Sequence, residues 1–361
     1  MKIIKKIQSA IIPRVSTRLV CRGMSAALFL ALNSVAVAQD AEFPAAPQIV
    51  EYSAGISAGA APAYITAGPD GNLWFAEVGV NKIGRITPDG VVTEFSAGIT
   101  PNSGPTGIIA GPDRNLWFTE QADSSGNSGG RIGRITPDGV VTEFQTGLDS
   151  TDVPFAITTG PDGNMWFTIT QFTGRHSVGK IGRITPDGII TVFTNGISLD
   201  SGPTGIGGGP DGNLWFTELL VPGMANITTS GVVTEFKAGF NPNPHTWGVT
   251  RAGDGNVWFT EAFNPFKPPA AAIGRITTAG VVTEFPLANV NADPRGIVFY
   301  RGALWFTEYG AQKIGRMTLD GTLKNEIGGI TGFPYAICIG PDGNLWFTEL
   351  FGDRIGKVII R

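Results

Sequence analysis

Histidine and cysteine are scarce in this chain, with two of each among 361 residues. Cys21 lies in an N-terminal segment read below as removed. The mature chain then keeps only Cys338 and has no intrachain disulfide, even in an oxidising compartment. His176 and His245 are the whole supply of imidazole. No apolar run reaches the roughly 18 residues that a membrane span needs. No glycine-rich loop leads into a helix, so nothing points to a nucleotide, haem or flavin. The recurring aspartates offer one carboxylate per loop without D-x-D spacing, which excludes calcium loops there.

What is abundant is turn chemistry, with Gly 51 and Pro 25 concentrated in G-P-D-G and T-P-D-G tetrapeptides. Hydrophobic residues make up 42% of the chain, too many for disorder. Residues 1–38 carry Lys2, Lys5, Lys6, Arg14, Arg18 and Arg22 with no acidic residue. An apolar stretch from Met24 to Val37 follows, ending in Ala36-Val37-Ala38 before Gln39. That is a secretory signal pattern, and it predicts export to the periplasm or the medium, with 39–47 as a short linker. Without those six basic residues, 20 basic face 30 acidic ones, a formal charge near −10. Neither nucleic acid nor an anionic membrane is expected as a partner, and a monomer is expected.

Trp74, Trp117, Trp166, Trp215, Trp258, Trp305 and Trp346 mark seven copies of G-P-D-G-N-L-W-F-T-E or a close variant, spaced 41 to 49 residues apart. That period matches a four-stranded propeller blade. In the second copy, 106–111 reads as strand A, 115–120 as B, 131–136 as C and 140–144 as D. Asp-Gly at the A–B and C–D junctions supplies the positive φ of hairpin turns. Leu-Trp-Phe-Thr in strand B is apolar on both faces, as a blade sandwiched between neighbours requires. The chain begins with a strand-D sequence, Gln48 to Gly55, and ends on a strand C at Arg354 to Val358. The fold expected over 48–361 is therefore all-β. It is a seven-bladed β-propeller of four-stranded antiparallel blades, closed by pairing the N-terminal strand with the last blade.

Antiparallel pairing puts the start of A, the end of B, the B–C loop and the D–A connection on one rim, where the repeat varies. The opposite rim holds near-constant hairpins that read as turns only. Strand B ends in Glu77, Glu120, Glu218, Glu261, Glu308 and Glu349, with Ile169 the exception. So many carboxylates repel unless cations or a metal intervene, and the expected partners are the basic residues opening strand C, such as Lys82, Arg131, Lys313 and Arg354. Glu349 and Glu308 are the candidate metal ligands. At the channel end of strand A stand Ala63, Thr106, Phe155, Thr204, Trp247, Arg295 and Tyr335. These are seven different answers at one position. Phe155, Trp247 and Thr204 are candidate ligand contacts, and Arg295 brings one fixed positive charge. Bulky side chains at this level could instead simply plug the channel. His245, just before Trp247, is the better candidate for a base or metal ligand, whereas His176 reads as solvated.

The repeat P-x-G-I, G-P-D-G-N-L-W-F-T-E, K-I-G-R-I-T-P-D-G-V-V-T-E-F resembles that of the virginiamycin B lyase, or streptogramin lyase, family over about residues 48–361. The resemblance implies a seven-bladed propeller that linearises a cyclic depsipeptide by elimination across an ester, using magnesium and a histidine base. The family's functional histidines lie in P-H-A and P-H-G motifs of the last two blades. Here those positions read Pro294-Arg295-Gly296 and Pro334-Tyr335-Ala336. A family glutamate two residues before the last histidine corresponds to Phe333, and another falls near Glu349. Elimination needs a base near the acidic C–H and an electrophile on the carbonyl. Arg295 is the candidate electrophile. Tyr335 is a candidate base if that cation lowers its phenol, and His245 is the alternative base. A carbon–oxygen lyase acting on a cyclic ester is one expectation, with Mg2+ as the implied cofactor. A non-catalytic propeller binding a ligand or protein on the variable rim is another, and a metal-dependent lactone hydrolase a third.

Overall fold

The computed structural model describes residues 47–121, 130–145, 147–173, 176–241, 245–262 and 271–360. The expected signal segment and nearly all of the 39–47 linker lie outside them. Seven separate four-stranded antiparallel sheets follow one another along the chain. Blade one is built from Pro62–Ala67, Leu73–Glu77, Lys82–Ile86 and Val92–Phe95, as strands A to D. In blade two the strands are Pro105–Ala110, Leu116–Glu120, Arg131–Ile135 and Val141–Phe144, within a residue of the boundaries read from the sequence. The seventh sheet joins Pro334–Ile339, Leu345–Glu349 and Arg354–Ile359 to Gln48–Tyr52 from the start of the chain. Gln48 pairs with Ile359 and Tyr52 with Ile355, so no blade is left with an open edge of three strands.

Strand B carries the core. Leu73, Trp74 and Phe75 are all fully buried. Trp74 packs towards Ile108, Leu116 and Phe118 of blade two, while Phe75 packs towards Tyr335, Trp346 and Ile355 of blade seven. Both faces of each sheet are therefore dry, which is why Leu-Trp-Phe is uninterrupted by polar residues. The glycine of K-I-G-R in strand C lies under the phenylalanine. A Cβ on Gly84 would come within 2.2 Å of the Phe75 ring.

The hairpin aspartates do more than turn the chain. Asp70 accepts hydrogen bonds from Asn72 Nδ2 at 2.8 Å and from the Trp74 indole at 3.0 Å, and the Arg85 guanidinium lies 5.5 Å from the centre of the same indole. Asp113, Asp162, Asp211 and Asp342 repeat the indole contact. The "turn only" reading is corrected here: the i, i+2, i+4 spacing of Asp, Asn and Trp is a side-chain bracket for the core tryptophan.

At the other end of strand B, a threonine ties neighbouring blades together. Thr260 Oγ1 accepts from Gly248 N at 2.8 Å and donates to the Arg295 carbonyl of the next blade at 2.7 Å. Thr307 does the same between Gly296 N and the Tyr335 carbonyl, at 2.9 Å each. Thr168 donates to the Thr204 carbonyl and Thr217 to that of Trp247, both at 2.8 Å.

Candidate functional site

The variable strand-A residues meet at the channel. Tyr64, Phe155, Trp247 and Tyr335 form a closed quartet, with ring centroids 5.9, 6.0, 6.1 and 5.8 Å apart in turn. Edge-to-face and tilted geometry at these distances is the favoured arrangement of aromatic pairs. The quartet plugs the channel. Towards the hairpin rim it leaves a cavity of about 830 Å3, whose inner end is lined by Tyr64, Trp247, Arg295 and Tyr335.

Arg295 stands beside this plug. Its guanidinium carbon lies 4.4 Å from the ring centres of both Trp247 and Tyr309, and 5.7 Å from Tyr335. Asp293, two residues upstream, accepts from Arg295 Nη2 at 2.9 Å. A guanidinium between two aromatic faces and tethered by one carboxylate is fixed in position while donor groups remain. Asp293 itself has a left-handed backbone, φ 49°, which bends the chain back towards its arginine.

Tyr335 is buried, and that burial pushes its phenol up to about 12 against the pull of Arg295. Tyr335 can act as a base only with a lowered phenol, and the environment does the opposite because desolvation outweighs one neighbouring cation. It is a hydrogen-bond donor at neutral pH. Burial lowers the pKa of His245, helped by Arg295 and opposed by Asp293. His176 is exposed, but its Nδ1 lies 2.9 Å from Asp200 Oδ2, a partner 24 residues away. Thr204 does not join the aromatic group. It is buried, and its hydroxyl donates to the Gly202 carbonyl at 3.0 Å. Tyr64, Tyr309 and Asp293 were not singled out in the sequence. Tyr64 follows the variable position by one residue, and Tyr309 comes from a B–C loop.

The strand-B glutamates are not held by the cations that open strand C. Lys82 bonds Glu94 at 2.6 Å, Arg131 reaches Glu143 at 3.5 Å and Lys313 bonds Glu326 at 3.1 Å, all on strand D. The buried strand-B carboxyls face those same strand-D glutamates instead. Burial, reinforced by Glu94, raises Glu77 to about 8; the same causes raise Glu218, beside Glu235, to about 8 and Glu261, beside Glu284, to about 9. Neither oxygen of Glu77 or Glu218 has a donor within reach while both carboxyls of the pair are ionised. A retained proton supplies one, converting repulsion into a carboxyl–carboxylate hydrogen bond. The strand-C glycine makes room for this reach, since a Cβ on Gly315 would lie 2.8 Å from Glu308 Oε1. In blade three, where Ile169 replaces the glutamate, Lys180 bonds Asp149 and Asp152 at 2.7 and 2.8 Å.

Glu349 and Glu308 each belong to one of these carboxyl pairs, with Glu51 and Glu326 respectively. Among the described residues no three His, Cys, Asp or Glu side chains gather as a metal site. Magnesium, implied by the resemblance, does not fit the side chains present: a guanidinium at 295, a phenyl ring at 333 and a high-pKa phenol at 335.

Fold and side-chain geometry together define a seven-bladed propeller with an arginine-centred aromatic cluster at the channel end of its inner strands. The chain belongs to the virginiamycin B lyase family, whose model matches residues 20–300 and 171–361. Among solved structures, virginiamycin B lyase from Staphylococcus aureus, in a catalytically inactive form with quinupristin, is 34% identical. That match covers 87% of this chain and 100% of that one, with a TM-score of 0.73. A streptogramin B lyase structure is 31% identical over 87% of this chain and 98% of its own, with a TM-score of 0.74. The virginiamycin B lyase of Nocardia farcinica is 34% identical over 79 residues, which span 27% of that relative's length and 22% of this chain.

Proposed function

We propose that this protein is an exported member of the family that binds a cyclic ester or depsipeptide-like small molecule on its variable rim without magnesium-dependent elimination. The observation that carries this is Arg295, which occupies a family histidine position, is stacked 4.4 Å from Trp247 and Tyr309, and is tethered by Asp293. A fixed guanidinium is a good donor to a carbonyl or carboxylate and a poor neighbour for a divalent cation. The relative with quinupristin supports the ligand class.

Isothermal titration of the mature protein with a cyclic depsipeptide tests this. Binding is expected to survive chelation of divalent metals, and Arg295→Ala is expected to weaken it by about tenfold or more, since charge-assisted hydrogen bonds contribute about 1.5–3 kcal/mol. Affinity that vanishes with chelator, or that is indifferent to Arg295→Ala, overturns the proposal. Export has its own check: amino-terminal sequencing of secreted or periplasmic protein is expected to start at Gln39. A start at Met1 in that fraction overturns it.

A second reading, metal-free elimination, is favoured by the burial of His245, which lowers its pKa and so favours the proton-accepting form. His245 would take the proton from the carbon that lies between an amide carbonyl and the carbon bearing the ester oxygen, while Arg295 holds the oxyanion developing on that amide carbonyl. The bond between the alkyl carbon and the ester oxygen then breaks, leaving a double bond on one side and the ester's acyl group as a carboxylate on the other. Such a product is linear with the mass of the cyclic substrate, whereas a lactone hydrolase adds one water. Mass spectrometry separates these outcomes from simple binding, and a linear product formed equally fast by His245→Ala overturns this role.

A further inference from the structure

The aromatic surface does not stop at Arg295. Tyr309, on the far face of the guanidinium, packs on Phe333 with ring centres 5.1 Å apart, and Phe333 meets Phe351 edge-on at 6.0 Å. Three aromatic side chains thus run from the fixed cation to the surface. Phe351 is 68% exposed, although most of the repeat's phenylalanines are buried in the core.

Its loop breaks the pattern of its counterparts. Blades one, six and seven each connect the strand-B glutamate to the strand-C cation through four residues: Val-Gly-Val-Asn, Tyr-Gly-Ala-Gln and Leu-Phe-Gly-Asp. Phe351 stands where the other two have Gly79 and Gly310. The turn is also anchored. Leu350 N donates to the Phe333 carbonyl at 3.0 Å, and Asp353 accepts from Gly59 N at 2.7 Å and Ala61 N at 3.2 Å in the next blade. An apolar ring held out by a pinned turn loses little freedom when a ligand covers it.

We propose that Phe333 and Phe351 form a subsite for an aromatic ring of the ligand whose carbonyl or carboxylate oxygen is held by Arg295. The inference rests on the binding function proposed above and narrows its ligand to aromatic-bearing cyclic esters. Charge and shape complement one another along the strip, with a fixed cation at the inner end and ring faces at the outer end.

The test compares two synthetic cyclic depsipeptides that differ only in a phenylalanine or an alanine side chain, by isothermal titration. Wild type is expected to bind the phenylalanine compound about tenfold more tightly, from apolar burial plus the contact between aromatic rings. Phe351→Ala is expected to bring the ratio within about twofold, Phe351→Trp to keep it, and Arg295→Ala to weaken both compounds while preserving it. A ratio near one in wild type, or one unchanged in Phe351→Ala, overturns the subsite alone if Arg295→Ala still weakens both compounds. No binding of either compound to wild type overturns the subsite and the rim function together.

Discussion

The melting temperature of the mature protein is expected to fall by about 10 °C between pH 5.5 and pH 8.5, because the folded chain retains protons on carboxyls that the unfolded chain releases. Glu77, Glu120, Glu218 and Glu349 are raised to about 8, Glu261 to about 9 and Glu308 to about 7, each chiefly by burial. A raised carboxyl favours the fold fully below its unfolded value of 4.5, and this contribution is lost as pH rises through the folded value. The strand-D partners act oppositely. Glu94 and Glu235 are lowered on balance: burial pulls each upward, but hydrogen bonds from Lys82 and Ser57 to Glu94, and from Ser198 and Lys237 to Glu235, outweigh it. Their stabilisation is present above 4.5 and disappears as pH falls through the lowered values. Maximum stability therefore belongs on the mildly acidic side of neutrality. Scanning calorimetry across that range decides the matter. A flat or rising melting temperature from pH 5.5 to 8.5 sinks the shared-proton account. Glu261→Gln, which provides an amide donor without a titrating proton, is expected to flatten the alkaline slope and to raise stability at pH 9.

Removing residues 39–52 is expected to have the larger structural effect. The last blade would lose its outer strand and the register from Gln48–Ile359 to Tyr52–Ile355. It would also lose the stacking of Tyr52 on the fully buried Trp346 at 5.5 Å, and the bonds from Thr331 N and Oγ1 to Glu51 at 2.8 and 2.9 Å. Glu349 would lose its carboxyl partner at the same time. A protein of residues 53–361 should aggregate through the exposed strand edge, or melt at least about 10 °C below one of residues 39–361. A synthetic peptide of residues 48–55 should restore part of that loss. Equal melting temperatures and a monomeric 53–361 protein would mean that the N-terminal strand is an accessory and not the closure.

The architecture was legible in the sequence because blade number, strand order and closure all follow from local signals that recur: Asp-Gly turns, Leu-Trp-Phe strands and an orphan strand D at the start. The meeting of Phe155, Trp247, Arg295 and Tyr335 was also legible, since one repeat position maps to one level of the channel. What escaped reading depends on distances across elements. The strand-C cations of blades one, two and six bond strand D because the intervening glycine lets the two glutamates face each other, a geometry that no spacing encodes. Tyr309 reaches Arg295 from a different strand connection, and Asp200 reaches His176 from the next one. The direction of the Tyr335 shift needed its burial, which sequence alone does not supply.

The threonine ties between blades have a further implication. They grip the peptide carbonyls of Thr204, Trp247, Arg295 and Tyr335, leaving the identity of each side chain outside the fastening. Exchange of one residue for another at the mouth of the torus then costs the framework little. A lineage can rewrite its recognition chemistry, imidazole to guanidinium or phenol, without relearning how to fold.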